Sequence, residues 1–330
     1  MRWGILGPGR IARSFLTGLA GSATETAVAV GSRDLDRARA VADDLDVLRA
    51  YGSYPDVLAD EAVEAVYVAL PNSLHARWSD AAARAGKHVL CEKPLGRSAA
   101  EAEAMFAVAR ECGVWLMEAF MYRFHPRTLA LAELVARGDV GEPRLVRASF
   151  GFTVTDAANV RLSADLAGGA LMDVGCYPVN AARMLAGPVA GVTAAARWSD
   201  TGVDETLAGT LDHATGALSA VSCSLVSSHH NVVQLVGSEG TVDMPNAFTP
   251  PPDRSSVLAH TRGARGGEPR EIRFDPVDQY TMEAEGFAAL VAAGHDAADL
   301  PQMPLAESLD NAVTIDALLR GARGSDMVAT

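Results

Sequence analysis

The chain has 330 residues, 49% of them apolar and 21% charged, a composition typical of globular proteins and a length that suits two domains. Its net charge of −13 argues against nucleic acid or an anionic membrane as a partner. No apolar run approaches the roughly 18 residues that a membrane span requires. No apolar signal segment precedes the first predicted strand, so a cytoplasmic location is expected.

Short apolar strands alternate with helical stretches through residues 1–121. The pattern predicts strands at Trp3–Leu6, Thr26–Val30, Ala65–Leu70, His88–Cys91 and Val114–Met117, and helices at Ile11–Ala20, Leu35–Leu45, Ser73–Ala85 and Ala99–Cys112. Apolar strands separated by helices predict an α/β domain with a doubly wound, parallel Rossmann sheet. Right-handed crossovers place the carboxyl ends of its strands, and therefore a ligand, along one edge.

Residues 122–330 follow a different rhythm and are predicted to form an α+β domain for substrate binding and oligomerisation. Helices are expected at Pro126–Arg137, Gln279–Ala293 and Leu305–Ala322, and strands at Arg144–Val154, Gly191–Trp198, Glu205–Leu211, Ala217–Val226 and Asn231–Val236. Alternating apolar and polar residues predict a largely antiparallel open sheet with one face covered by helices. The segment Thr249–Arg270, rich in Pro, Gly and Arg, is expected to be an irregular connection.

A glycine-rich turn joins the first strand to the first helix. Gly7, Gly9 and Ala12 form the pattern G-x-G-x-x-A. The first glycine permits a tight turn, the second lets a pyrophosphate approach the backbone, and the alanine lets the helix pack on the strand. Free N–H groups at the helix N-terminus favour phosphate. The predicted dinucleotide contacts in this turn are Gly7, Pro8, Gly9, Arg10, Ile11 and Ala12.

The end of the second strand indicates which dinucleotide binds. An NAD enzyme places an acid there to bond the ribose 2′-hydroxyl, whereas this chain has Ser32 followed by Arg33. A hydroxyl and a guanidinium suit a 2′-phosphate, so NADP is predicted, with NAD as the other possibility. In the alternative interpretation Ser32 caps the next helix, Arg33 is solvated and Asp34 contacts the ribose of NAD.

Lys93 follows the fourth predicted strand, within Glu92-Lys93-Pro94. A lysine is costly to desolvate at the carboxyl edge of a sheet unless it has a task there. Pro94 restricts Lys93 to extended geometry, which aims its side chain towards the predicted ligand crevice. Alone, the tripeptide also fits an exposed lysine before a proline that starts a helix.

A second glycine-rich turn, at Gly168 and Gly169, enters a helix that carries Asp173 and Tyr177. At positions i and i+4 these two side chains would share a helical face, and Pro178 is expected to force a kink or a tight first turn. A phenol beside a lysine ammonium is a proton-transfer pair, because the positive charge makes the phenolate easier to form. Taken singly, Asp173 also fits an N-cap and Tyr177 an amphipathic core residue.

Together these motifs resemble the glucose–fructose oxidoreductase/inositol dehydrogenase (Gfo/Idh/MocA) family. The matching features, in order, are the G-x-G-x-x-A turn, Leu70-Pro71-Asn72-Ser73-Leu74-His75, Glu92-Lys93-Pro94 and Gly168-Gly169 with Asp173, Gly175 and Tyr177. The run from Met117 to Pro126 is similar to dimeric dihydrodiol dehydrogenases, NADP-dependent xylose dehydrogenases and deoxysugar ketoreductases. Inositol dehydrogenases carry His where this chain has Tyr177, so that branch is disfavoured.

The resemblance implies a mechanism and further site residues. Nicotinamide would exchange a hydride with a carbon bearing oxygen, Tyr177 would move the proton and Lys93 would stabilise negative charge. Asp173 is expected to bind sugar hydroxyls. Arg123 and His125 border the substrate pocket or hold the domains together. The remaining cofactor contacts are expected at Leu70, Pro71, Asn72, His75, Glu92 and Lys93, with His75 serving for packing or hydrogen bonding rather than as a catalyst.

The expected reaction is reduction of a keto group on a sugar, most simply a nucleotide-linked one, with oxidation of an aldose or a trans-dihydrodiol as alternatives. A non-catalytic, cofactor-binding regulator is a further alternative, which Lys93 and Tyr177 disfavour. A homodimer or homotetramer, paired through the open sheet face, and a cis Lys93–Pro94 bond are also expected. Four cysteines at irregular spacings favour reduced thiols, and no metal site is expected, because Cys and His are scattered.

Overall fold

The structure is a computed structural model that describes residues 1–263, 265–294 and 301–324. Within it the chain forms two compact units. Unit 1 contains residues 1–124 and 278–309, and unit 2 contains residues 125–277 together with the chain from residue 310 onward. Each unit is built on its own sheet.

The described part of unit 1 contains a six-stranded sheet whose strands are all parallel to their neighbours. The strands are β1 (Arg2–Leu6), β2 (Thr26–Gly31), β3 (Arg49–Tyr51), β4 (Ala65–Val68), β5 (His88–Glu92) and β6 (Leu116–Ala119). Their order across the sheet is β3-β2-β1-β4-β5-β6. The order reverses between β1 and β4, and a doubly wound sheet binds its ligand at the carboxyl ends beside such a reversal.

Helices connect these strands, as the alternating pattern predicts. They are α1 (Arg10–Ala20), α2 (Leu35–Asp44), α3 (Tyr54–Ala59), α4 (His75–Arg84) and α5 (Ala99–Glu111). Helix α1 buries Ala12, Phe15, Leu16 and Leu19, which recur at helical spacing. The Phe15 ring stacks on the Tyr67 ring of β4 with 3.9 Å between centroids, which fixes α1 against the sheet.

A helix from the C-terminal part of the chain completes unit 1. Helix α8 (Gln279–Ala293) packs against α1, where Gly18 leaves room for Tyr280: a Cβ on Gly18 would lie 2.7 Å from the Tyr280 Cβ. Phe287 of α8 lies 5.5 Å, between ring centroids, from Trp3 of β1. Trp3 is therefore fully buried although it stands near the start of the chain.

Unit 2 is built on an eight-stranded sheet among the described residues. Its strands are β7 (Pro143–Thr153), β8 (Val189–Trp198), β9 (Asp204–His213), β10 (Leu218–Ser224), β11 (Val226–Gly237), β12 (Gly240–Pro245), β13 (Ser256–Arg262) and β14 (Arg270–Phe274). The order is β14-β13-β12-β11-β7-β10-β9-β8. The β7–β10 pair is parallel and the other pairs are antiparallel.

One face of this sheet is covered by helices and the other is open. The helices are α6 (Pro126–Ala136), α7 (Cys176–Ala186) and α9 (Leu305–Gly324), the last of which belongs to unit 2 from Asp310 onward. Leu207 and Leu211 of β9 are fully buried, whereas Ala208 and Thr210 between them are exposed. This alternation confirms the predicted covered and open faces.

The predicted fold class is confirmed, but one predicted segment is wrong. The connection Thr249–Arg270 was expected to be irregular, and its centre instead forms β13, in which Leu258 and His260 alternate with more exposed residues. Pro, Gly and Arg around that short strand concealed its period of two; Ala264 lies outside the described residues. The sequence prediction also lacked β3, α3, β12 and β14.

Candidate active site

The Gly7–Gly9 turn has the geometry of a phosphate cradle. Gly7 adopts φ +102°, and a Cβ there would lie 2.7 Å from the Ala69 carbonyl oxygen, so only glycine fits. Gly9 is the N-cap of α1 without a side-chain cap, and a Cβ on it would meet nothing within 4 Å. The helix N-terminus thus faces open space, as bound pyrophosphate requires.

The roles of Ser32 and Asp34, which follow β2, differ from those in the alternative interpretation. Asp34, not Ser32, is the N-cap of α2, and its carboxylate accepts from the backbone N–H groups of Asp36 and Arg37 at 3.0 and 3.3 Å. Ser32 is buried and its hydroxyl accepts from the Asp34 N–H at 3.2 Å. The cap assignment to Ser32 is therefore wrong, and the Asp34 carboxylate already serves the helix.

Arg33 lies beside a buried phenol that the sequence reasoning missed. Its exposed guanidinium lies near the Tyr54 hydroxyl, and Arg37 contributes a second positive charge there. Burial raises the Tyr54 pKa, and the two arginines oppose this rise. The Tyr54 ring packs edge-on against Trp78 at 4.8 Å between centroids. An exposed guanidinium thus stands just after β2, and a guanidinium fits a 2′-phosphate.

His75 joins the segments that follow β4 and β5. It is fully buried, with Nε2 2.8 Å from the Leu70 carbonyl oxygen and Nδ1 2.9 Å from the Pro94 carbonyl oxygen. Desolvation lowers the His75 pKa, with a smaller contribution from Lys93, although the two carbonyl groups oppose this. The predicted hydrogen-bonding role of His75 is confirmed. Pro71 and Asn72 lie between these contacts, where a 3₁₀ turn (Asn72–Leu74) precedes α4.

Lys93 stands directly after β5, at the carboxyl edge of the unit 1 sheet. The Lys93–Pro94 peptide bond is cis, as predicted. Glu92 is buried and accepts a hydrogen bond from the Tyr67 hydroxyl. Lys93 is half-buried.

Tyr177 lies in unit 2 near the start of α7. Residues Leu171–Gly175 form one π-helical turn before α7 begins at Cys176. Pro178 has no N–H to donate to the carbonyl of Val174, which interrupts the helical ladder. The turn is wide, so the tight first turn predicted here is wrong. The Tyr177 side chain is buried against Phe150 and Phe248, at 5.7 and 5.3 Å between ring centroids.

Asp173 forms an ion pair that sequence reasoning missed. Its carboxylate accepts from Nε of Arg161, whose guanidinium carbon also lies 5.6 Å from the centroid of the Phe152 ring. Asp173 lies inside the π-helical turn and is not its N-cap. Asp204 holds the start of that turn instead, accepting from the Leu171 N–H at 2.7 Å. Burial raises the Asp204 pKa to about 6.

Arg123 and His125 both make extensive internal contacts. Arg123 is fully buried in unit 1, donates to the carbonyl groups of Pro301 and Gln302 at 3.1 and 2.9 Å, and pairs with Glu307 at 2.8 Å. His125 is the N-cap of α6 in unit 2, and burial lowers its pKa to about 4. The role of both residues towards a substrate stays a prediction.

The part of the chain that the structure describes contains neither a cluster of metal ligands nor a membrane-spanning helix. No group of three or more His, Cys, Asp or Glu residues there could hold a metal ion. No described helix is long and apolar enough to cross a membrane. The four cysteines are free thiols, three of them buried.

The Rossmann sheet with its glycine-rich turn, together with the candidate site residues described above, is typical of an oxidoreductase that binds a dinucleotide. The family model described as "Oxidoreductase family, NAD-binding Rossmann fold" matches residues 1–120, and the "GFO/IDH/MocA C-terminal domain" model matches residues 128–243. The chain belongs to the GFO/IDH/MocA oxidoreductase family.

Individual proteins of known name are similar to this chain over almost its whole length. The chain is 41% identical to D-xylose 1-dehydrogenase (NADP(+)) 2 of Haloferax volcanii, over 98% of this chain and 97% of the relative. It is 34% identical to trans-1,2-dihydrobenzene-1,2-diol dehydrogenase of Mus musculus, over 93% and 92% of the two chains. The crystal structure of KijD10, a 3-ketoreductase from Actinomadura kijaniata in complex with NADP and TDP-benzene, matches with a TM-score of 0.89, 34% identity and 97% coverage of each chain.

Proposed function

We propose that the protein is an NADP(H)-dependent oxidoreductase that acts on a C–OH or C=O group of a sugar-like substrate. The observation that carries the proposal is the carboxyl edge of the unit 1 sheet. The Gly7–Gly9 turn follows β1, the Arg33–Tyr54 pair follows β2 and Lys93 follows β5 along this edge. This edge, where a doubly wound sheet binds dinucleotides, thus carries a candidate pyrophosphate site, a candidate 2′-phosphate site and an ammonium group.

The cofactor contacts follow from this arrangement. The backbone from Gly7 to Ala12 would hold the pyrophosphate, and Ser32 with Arg33 would hold the 2′-phosphate. The residues proposed to line the nicotinamide half are Leu70, Pro71, Asn72, His75, Glu92 and Lys93. When bound, the nicotinamide ring supplies the hydride acceptor or donor. The similar xylose dehydrogenase is NADP-dependent and the KijD10 complex contains NADP, which supports this choice over NAD.

Tyr177 and Lys93 are the proposed catalytic pair. The Tyr177 phenol gives or takes the proton of the substrate oxygen, and the Lys93 ammonium stabilises negative charge on that oxygen or on the phenolate. Phe150 and Phe248 surround the phenol with apolar rings, where a phenolate is costly without a nearby cation. Asp173, oriented by Arg161, would accept hydrogen bonds from sugar hydroxyls.

The first substrates to test are those the relatives suggest. A nucleotide-linked 3-ketosugar is offered with NADPH, and D-xylose, other aldoses and a trans-dihydrodiol are offered with NADP. Turnover of any of them, followed by the change in NADPH absorbance, supports the proposal and names the substrate class. Tight NADPH binding without turnover of any substrate contradicts catalysis and favours a cofactor-binding regulator.

The proposal also includes the oligomeric state, the cellular location and the roles of the two parts of the chain. A homodimer or homotetramer would form through the open face of the unit 2 sheet, in the cytoplasm, with neither nucleic acid nor membrane as partner. Residues 1–121 would bind the cofactor, and residues 122–330 the substrate and the partner subunit. Cell fractionation and light scattering test the location and the assembly.

A further inference from the structure

Glu118 is a buried acid that none of the roles assigned above uses. It lies on β6 next to β5, with Cys91 as its register partner, and is 2% exposed. Its Oε1 accepts the Leu95 N–H at 3.0 Å. Its Oε2 is buried and forms no hydrogen bond of sound geometry with any described residue. A carboxylate is costly to bury even when it is partly hydrogen-bonded, so packing alone does not account for an acid here.

The bonded N–H connects Glu118 to Lys93. Leu95 is two residues after Lys93, on the far side of the cis Lys93–Pro94 bond. The segment is held at two further points, since Tyr67 donates to Glu92 and His75 lies 2.9 Å from the Pro94 carbonyl oxygen. Glu118 is therefore the acidic member of a set of buried side chains that fix the backbone on both sides of Lys93.

The charged groups around Glu118 also connect it to Lys93. The cations that face it are Arg123 and Lys93, and Ser308 lies beside it as an uncharged neighbour. Arg123 pairs with Glu307 at 2.8 Å. Burial raises the pKa of Glu118 to about 7; the Ser308 hydroxyl and the Leu95 N–H oppose this rise most, and the charges of Arg123 and Lys93 oppose it to a smaller extent.

We propose that Glu118 is a positioning residue for Lys93: its carboxylate fixes the backbone at Leu95 and directs negative charge towards the Lys93 ammonium. The proposal rests on the proposed function, because Lys93 is taken as the group that stabilises charge on the substrate oxygen. Ionised Glu118 would hold the ammonium in place, and protonation would weaken that hold. Turnover should then fall as the pH drops through about 7.

The test compares Glu118→Gln with the wild type and with Glu103→Gln, which changes an exposed acid on α5. Glutamine keeps an acceptor for the Leu95 N–H and removes the charge. We expect NADPH affinity and substrate KM to change less than twofold, while kcat at pH 8 falls about tenfold and loses its decline near pH 7. Glu103→Gln should match the wild type. A Glu118→Gln profile that superimposes on the wild type would overturn the proposal.

Stability measurements test the Glu118–Lys93 coupling without requiring a known substrate. A carboxyl whose folded pKa is raised binds a proton that the unfolded chain has already lost, so the contribution of Glu118 to stability, measured as the difference between the wild type and Glu118→Gln, should fall as pH rises from about 4 to about 7. Lys93→Met should shift that decline to higher pH, because a cation that lowers the Glu118 pKa is lost. An unshifted decline would overturn the Glu118–Lys93 coupling, even if no substrate were found. Absence of turnover in the wild type would instead contradict the proposed function.

Discussion

At the scale of single residues, the proposed chemistry depends on the hydroxyl of Tyr177. The ring is held by Phe150 and Phe248, so Tyr177→Phe preserves the packing and removes the group that transfers the proton. Folding and NADPH binding should survive, while kcat falls by about 10²–10⁴-fold. Steady-state kinetics and an NADPH fluorescence titration of the same preparation measure both quantities.

Lys93→Met tests whether the pair acts as one unit. It should lower kcat and change its pH dependence, because the ammonium lowers the free energy of the phenolate. The double variant with Tyr177→Phe should be little worse than the worse single variant, since residues that act together are non-additive. Additive losses would show independent roles, and near-normal turnover of Tyr177→Phe would show that another group moves the proton.

Arg33 carries the proposed preference for NADP. Arg33→Ala removes the guanidinium near Tyr54 and should weaken NADPH binding about 10- to 100-fold, because a charge-assisted hydrogen bond contributes about 1.5–3 kcal/mol. NADH lacks the 2′-phosphate, so its affinity should barely change. Arg39→Ala is the matched control: Arg39 is exposed on α2, the helix that follows Arg33, and pairs with Asp36 at 3.4 Å. Equal losses for both cofactors in Arg33→Ala would contradict the 2′-phosphate assignment.

Residues near one another in sequence were the predictable part of the site. The Gly7–Gly9 turn and Lys93 could be proposed from the sequence because each directly follows an apolar strand. Tyr54, Glu118, Arg161 and Asp204 were missed. Asp204 meets Leu171 across 33 positions and Glu118 meets Leu95 across 23, and local sequence carries no signal for contacts of that separation.

At the scale of elements, the entry to α7 depends on Gly169. Its φ is +115°, and a Cβ there would lie 2.2 Å from Oδ1 of Asp204, the residue that caps the turn. Gly169→Ala should lower the free energy of unfolding by about 2–4 kcal/mol, because it adds a clash to a strained backbone. Urea denaturation measures this change.

Gly216 provides the control for backbone strain alone. It has φ +85° in the same unit, and a Cβ there would meet nothing within 4 Å. Gly216→Ala should lower the free energy of unfolding by about 1 kcal/mol. Equal losses in the two variants would mean that the contact with Asp204 contributes nothing.

The elements themselves were predictable where their patterns are long. Helix α8 was predicted with its observed bounds, since Asp278 caps a sustained apolar repeat. Strand β3 has three residues and α3 has six, both too short for a periodic signal. Ser53 before Pro55 marks the start of α3 and could have revealed it.

At the scale of the whole molecule, the open face of the unit 2 sheet is suited to pairing with a second copy. Ala195, Ala208 and Ala220 keep it flat, and its hydroxyls already bond across strands, Thr193 to Thr210 at 2.6 Å and Ser149 to Ser222 at 2.8 Å. Groups bonded within the sheet lose little when water leaves the face, which lowers the free-energy cost of burying it.

Ala208→Arg should therefore separate the proposed oligomer. The guanidinium would be buried at the centre of a flat interface without a partner, and an uncompensated buried charge costs several kcal/mol. Light scattering at micromolar concentration should show a dimer or tetramer for the wild type and a smaller species for the variant. Ala104→Glu, on exposed α5 of unit 1, should leave the mass unchanged. A monomeric wild type, or an Ala208→Arg variant of unchanged mass, would remove this face from consideration as the interface.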